Sequence, residues 1–167
     1  MGQCCMKTIT IRQAKATDSS VITNMLHSLA NDLGDGDVFA STSEIILRYG
    51  FGQTSMFDVV IAEFDGEAVG FALFFAHFST TKGKPGVYLQ DIWVDHAIRG
   101  AEIGQKLLTA VTTHAANTWG AAYIKLSVHA DNAGAKRFYS RLGFCASSNE
   151  IPMTAENNAF KALQGAA

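Results

Sequence analysis

The chain is poor in the features that would assign it to a specialised class. It has three cysteines in 167 residues, Cys4, Cys5 and Cys145. They are too few for a disulfide framework and show no metal-ligand spacing. That usage fits a reducing, cytoplasmic setting with no metal. A dominant charge is also missing. Thirteen Lys+Arg against 15 Asp+Glu leave a formal net charge of −2, so neither nucleic acid nor an anionic membrane gains general attraction. No apolar run reaches the roughly 18 residues a bilayer crossing needs; the run 68–78 is shorter and carries His77. Repeats, low-complexity tracts and linkers are absent as well. What is present, 48% hydrophobic and 17% charged residues, fits one globular core rather than two.

The start, Met1-Gly2-Gln3-Cys4-Cys5-Met6, has the glycine and cysteines of a lipidated terminus. It puts Met6 where the acylation motif wants Ser or Thr. Residues 1–6 are therefore read as a disordered extension, with Met6 as an alternative start, before a single domain over 7–167.

Period-2 alternation predicts a first strand over 7–12. Thr17-Asp18 offers a helix N-cap, and Ile22, Met25, Leu26, Leu29 and Leu33 follow at helical spacing. An acidic loop with Asp32, Asp35 and Asp37 closes that helix, and a short helix is expected over 43–48. Asp65-Gly66 between two β-rich runs signals a hairpin over 58–64 and 67–78. A strand over 87–95 leads into a helix carrying Ile103, Leu107, Ala110, Val111, His114 and Ala115 on one stripe, ended by Gly120. A strand over 122–129, a helix over 132–142 ended by Gly143 and a strand over 144–148 complete the reading. The order is β-α-α-β-β-β-α-β-α-β, an α+β fold with a mixed, mostly antiparallel central sheet and helices on both faces.

The strongest signal is Val94-Asp95-His96-Ala97-Ile98-Arg99-Gly100-Ala101-Glu102-Ile103-Gly104-Gln105. A strand end, a glycine-containing turn and a helix start together form a natural pyrophosphate site, because unpaired amides and the helix dipole both favour an anion. Downstream lies Asn132-Ala133-Gly134-Ala135-Lys136-Arg137-Phe138-Tyr139, followed by Gly143-Phe144. In this order and spacing the two segments resemble motifs A and B of the GNAT superfamily of acetyl-CoA-dependent N-acetyltransferases. The segment Leu89-Gln90-Asp91-Ile92-Trp93-Val94 is most similar to the Leu-Glu-Asp-aromatic-aromatic-Val pattern of the spermidine/spermine (diamine) acetyltransferases and their thialysine-directed relatives.

The resemblance implies a GNAT fold and transfer of acetyl from acetyl-CoA to a primary amine, a polyamine or lysine-like small molecule, by direct attack. An acetyltransferase acting on protein lysines or N-termini, or a CoA-binding regulatory module, are the alternatives. It also implies a homodimer, with the tail 153–163 available to an interface. Arg99, Gly100, Ala101, Glu102, Ile103, Gly104 and Gln105 would hold the pyrophosphate, although Glu102 stands where glycine is usual. Backbone along Ile92, Trp93 and Val94 would pair with the pantetheine arm, while the rings of Trp93 and Trp119 serve packing. Asn132, Ala133, Gly134 and Ala135 would contact CoA, and Tyr139 would protonate the leaving thiolate. Gln90, Asp91, Ser127, His129, Asp35 and Asp37 would line the acceptor site. Gln90 replaces the expected acid and cannot take a proton, so the base is left open among Asp91, His129 and a water chain.

Overall fold

The computed structural model describes residues 8–100, 102–147 and 151–165. Contacts divide the chain into two compact units, residues 1–127 and 128–167. The first six residues and Ala101 lie outside the described residues.

The first unit is a five-stranded sheet, β1 (Ile9–Gln13), β2 (Asp58–Phe64), β3 (Glu67–Ser79), β4 (Lys84–Val94) and β5 (Ile124–Leu126), in that spatial order. All pairings are antiparallel except β4 with β5, which run parallel. Helices α1 (Ser19–Leu33) and α2 (Ser43–Phe51) connect β1 to β2, and α3 (Ile103–Trp119) connects β4 to β5. The hairpin between β2 and β3 turns through Asp65 (φ 52°) and Gly66 (φ 86°), the two left-handed residues that a tight hairpin matching the sheet's twist requires.

Alternation on the central strands sorts the helices to both faces. Val59, Ile61, Phe71 and Leu73 share one core with Ile22, Met25, Leu26 of α1 and Ile46 of α2. The intervening residues face α3, whose Ile103, Leu107, Val111 and Ala115 are buried and whose His114 ring meets Phe74 edge-on at 5.5 Å. Asp18 stands at the N-cap of α1 but does not cap it. Its carboxylate is held by Arg12 at 2.7 and 3.0 Å and by the Lys15 amide at 2.7 Å.

The second unit contains α4 (Ala133–Arg141) and α5 (Asn157–Leu163). α4 begins with the Asn132 Oδ1 accepting from the Ala135 amide at 2.9 Å, and the chain leaves it through Gly143 at φ 88°. The strand expected over 144–148 is not formed in its described part, 144–147. Phe144 is its one strong strand former, and the following Cys-Ala-Ser run favours turns and irregular backbone. The unassigned tail instead holds α5.

Candidate active site

β4 carries a defect that shapes the site. Leu73 pairs with Asp91 and the next residue, Phe74, pairs with Leu89, so Gln90 is an extra residue bulged out of the ladder. Such a bulge bends its strand and raises the local twist. β5 follows β4 only over Val87, Tyr88 and Leu89, and the strand expected over 122–129 shrinks to three residues. The pairing of β4 with β5 ends at Leu89, the residue before the bulged Gln90. Beyond the bulge, no strand among the described residues covers the far edge of β4 over Asp91–Val94.

Gln90 is exposed. Asp91 stands opposite Leu73, so its side chain is on the α1–α2 face of the sheet. It is partly buried, and among the described residues no hydrogen bond or ion pair reaches its carboxylate. Dehydration alone pushes its pKa up to about 6. Trp93, opposite Phe71, packs on the core of the same face.

The turn after β4 leads into an open helix start. Gly100 has φ 94° and Glu102, the N-cap residue of α3, has φ 59°. A left-handed backbone explains why glycine suits this position and why a glutamate there is strained. The Glu102 side chain is exposed and makes no capping bond. The ladder of α3 begins with the Lys106 amide donating to the Glu102 carbonyl at 3.0 Å. The amides of Ile103, Gly104 and Gln105 precede it, the arrangement that receives an anion.

The structure gives Arg99 a different posture from a free phosphate ligand. Its Nε donates to the Val94 carbonyl at 3.0 Å and its Nη2 to Asp32 Oδ2 at 3.1 Å. The same Asp32 oxygen accepts from Trp93 Nε1 at 3.0 Å and His96 Nε2 at 2.8 Å. Trp93 therefore does more than pack. Desolvation works to raise the Asp32 pKa, but the bonds from His96 and Trp93 and the nearby cations outweigh it and hold the carboxyl below its usual range. Asp32 ties the end of α1 to the turn that carries Gly100. This hub was not legible in the chain, because its members are about sixty residues apart and no local pattern links them.

Asp35 and Asp37 are exposed in the loop after α1. Ser127 Oγ shares a 2.8 Å hydrogen bond with Tyr88 Oη. In the second unit, His129 is exposed and its carbonyl accepts from the Asn132 amide at 3.0 Å. The Asn132 side chain is occupied in capping α4, whose first residues are Ala133, Gly134 and Ala135. Tyr139 is buried, with ring centroids 5.2 Å from both Phe138 and Phe144. Burial raises its pKa to about 12, so the phenol keeps its proton at neutral pH.

A strand edge left open by a bulge, running into an uncapped helix start, suits a transferase that takes an extended donor with an anionic end. The comparisons agree. The family model described as Acetyltransferase (GNAT) family matches residues 25–144, and the chain belongs to that family as an N-acetyltransferase. It is 32% identical over 146 residues to a thialysine N-epsilon-acetyltransferase of Bos taurus, covering 83% of this chain and 85% of the relative. A spermine/spermidine N(1)-acetyltransferase of Bacillus subtilis is 31% identical over 83 residues, 48% of this chain and 55% of that protein. An aminoglycoside N-acetyltransferase solved in complex with CoA has the same fold, with a TM-score of 0.74 at 20% identity over 90% of this chain and 97% of its own. No helix among the described residues is long and apolar enough to cross a membrane.

Proposed function

We propose that the chain moves an acetyl group from acetyl-CoA to the primary amine of a small molecule, with Asp91 as general base and Tyr139 as general acid. The observation that carries this reading is Asp91: a dehydrated carboxylate beside the bulge, without a hydrogen-bond partner among the described residues, with a pKa of about 6. A base poised close to neutrality combines an ionised state with useful basicity. Gln90, exposed and without a titratable group, leaves that task to its neighbour. The donor fits the residues present. The free edge along Ile92 and Val94 would take the pantetheine arm, while Gly100 and the amides of Ile103, Gly104 and Gln105 would take the pyrophosphate.

Acetyl-CoA supplies an activated acetyl thioester, which the neutral amine attacks directly, forming the C–N bond as the C–S bond breaks. Asp91 accepts the proton that the attacking nitrogen must lose. Tyr139 holds a proton for the departing sulfur. The amine-directed activities of the cow and Bacillus relatives support an amine acceptor here.

Steady-state thiol release with amines, amino acids and peptides tests the reading. Turnover with small amines is expected, together with a more than tenfold fall in kcat for Tyr139→Phe at unchanged acetyl-CoA affinity. Turnover with peptides alone would make the chain a protein acetyltransferase. Acetyl-CoA binding with no turnover would make it a regulatory module.

A further inference from the structure

The α1–α2 face of the sheet does not end at Asp91. On β3 the residues after Leu73 on that face are Phe75, His77 and Ser79, and their partners on β4 are Tyr88, Gly86 and Lys84. Phe75 and Tyr88 stack with centroids 5.2 Å apart and planes at 20°, and both are half-buried. Tyr123 covers Gly86, where a Cβ would come within 2.4 Å of its ring. Its hydroxyl is hydrogen-bonded to His77 Nδ1 at 2.6 Å. The Lys82 ammonium sits over the Tyr123 ring, 6.0 Å from its centroid. The β3–β4 turn thus brings Lys82 and Lys84, both exposed, to the far end of the face.

One sheet face therefore carries three zones in line: a carboxylate, an aromatic stretch and a pair of lysines. Asp91 is level with Leu73, and the His77–Tyr123 pair beneath Lys82 lies four residues further along β3. At a rise of ~3.3 Å per residue that separation is about 13 Å, and the Lys82 ammonium stands over the Tyr123 ring at its far end. An ammonium is attracted at the acidic end and repelled at the basic end; a carboxylate experiences the reverse. Aliphatic carbons gain by covering the aromatic edges between them.

We propose that this face selects the acceptor: its amine at Asp91, an aliphatic spacer over Phe75 and Tyr88, and an anionic group at Lys82 and Lys84. The preferred acceptors are then amino-acid-like, with amine and carboxylate separated by a methylene chain, and polyamines are disfavoured because their second ammonium meets the lysines. Phe75, Tyr88, Lys82 and Lys84 are specificity-determining residues in this account, which rests on the acetyl-transfer reading above.

Thiol release by the full chain with hexylamine, hexanediamine and aminohexanoate tests it. Wild type is expected to show at least tenfold higher kcat/KM for aminohexanoate than for hexanediamine. The double variant Lys82→Glu/Lys84→Glu should reverse that order and leave hexylamine within twofold of wild type. Lys82 lies in the β3–β4 turn and Lys84 is the first residue of β4, and both are exposed, so the variant retains its core. Tyr88→Ala should reduce the gain in kcat/KM from ethylamine to hexylamine. Acetylation of hexylamine with a diamine-to-aminohexanoate ratio that ignores the charge reversal, or a wild type that prefers the diamine, overturns the proposal alone. Binding of acetyl-CoA with no turnover on any of these amines overturns the acetyl-transfer reading, and this proposal with it.

Discussion

Asp91 and Asp32 are the same residue type, both beside Trp93, and the fold uses them in opposite ways. Asp32 accepts three hydrogen bonds on one oxygen, from an indole, an imidazole and a guanidinium, and its pKa is lowered. Asp91 accepts none that the described residues supply, and burial raises its pKa to about 6. A carboxylate surrounded by donors is stabilised as an ion and is a poor base. One left alone in a dry place is costly to ionise and takes a proton readily. The contrast separates a fixing role from a chemical one.

Asp91→Asn tests that contrast most severely. It removes the base and keeps the shape, so kcat/KM should fall by about 10²–10⁴. For wild type, with an acceptor amine already neutral at pH 7, kcat/KM should climb through an acidic limb near pH 6 and then level off, and the variant should lose that limb. A wild-type profile that follows only the amine's own deprotonation would assign proton removal to bulk water and leave Asp91 as a binding residue.

Stability should move the other way. The folded pKa of Asp91 is raised, so between about pH 4 and 6 the native state binds more protons than the unfolded chain, and stability falls as pH rises through that window. At pH 7.5 ionised Asp91 destabilises the fold. Asp91→Asn should gain about 1–3 kcal/mol there, from a shift of roughly two pKa units tempered by partial exposure. The gain should vanish below about pH 4. For Asp32, whose pKa is lowered, the sign is reversed: its contribution is present at neutral pH and is lost as pH falls through its folded pKa. Urea unfolding of Asp91→Asn and Asp32→Ala across pH checks the two signs in one series, and a uniform offset with no pH dependence would contradict both.

A smaller effect is expected for Asp32→Ala on the donor side. Freed from Asp32, Arg99 and His96 no longer hold the turn to α1. A net loss equivalent to one hydrogen bond, ~1 kcal/mol, is about a fivefold weaker acetyl-CoA affinity. Turnover at saturating donor should stay within twofold of wild type. Asp32→Asn, which still accepts a hydrogen bond, should recover most of the affinity. If Asp32→Ala binds as tightly as wild type, the hub braces the fold and has no part in donor binding.

Local signals made much of this fold legible. Asp65-Gly66 located the hairpin, Gly120 the end of α3 and Gly143 the end of α4, because each records a left-handed backbone. The strand–turn–helix at Val94 to Gln105 and the motif from Asn132 to Phe144 carry the resemblance to the family in the sequence itself. The sequence reading missed what depends on register and on distant partners. In the sequence Gln90 reads as a missing acid, whereas the pairing makes it the bulged residue of β4, one position past the last residue that pairs with β5. The Asp32 hub and the Phe75–Tyr88–Tyr123 face join residues from separate strands and helices. The strand over 144–148 failed because one aromatic among small residues does not specify extended structure.

The smallest effect is expected at Glu102. Its left-handed backbone is strained for any residue with a side chain, by ~1–2 kcal/mol. Glycine relieves that strain but also loosens the unfolded chain by about 0.4–1 kcal/mol, so Glu102→Gly should change stability little. The affinity effect is electrostatic. A carboxylate roughly 8 Å from a phosphate in water-like surroundings costs about 0.5 kcal/mol, close to a twofold change in Kd. Calorimetry with acetyl-CoA at low ionic strength should therefore find Glu102→Gly about twofold tighter than wild type. Near 1 M salt the Debye length falls to about 3 Å and the difference should disappear. Glu102→Gln separates the two causes, since it removes the charge and keeps the strained side chain: it should match the glycine variant at low salt. If both variants bind as wild type does at every salt concentration, the exposed carboxylate is directed away from the donor. The glutamate would then be a tolerated replacement, with the open amides of Ile103, Gly104 and Gln105 unaffected by it.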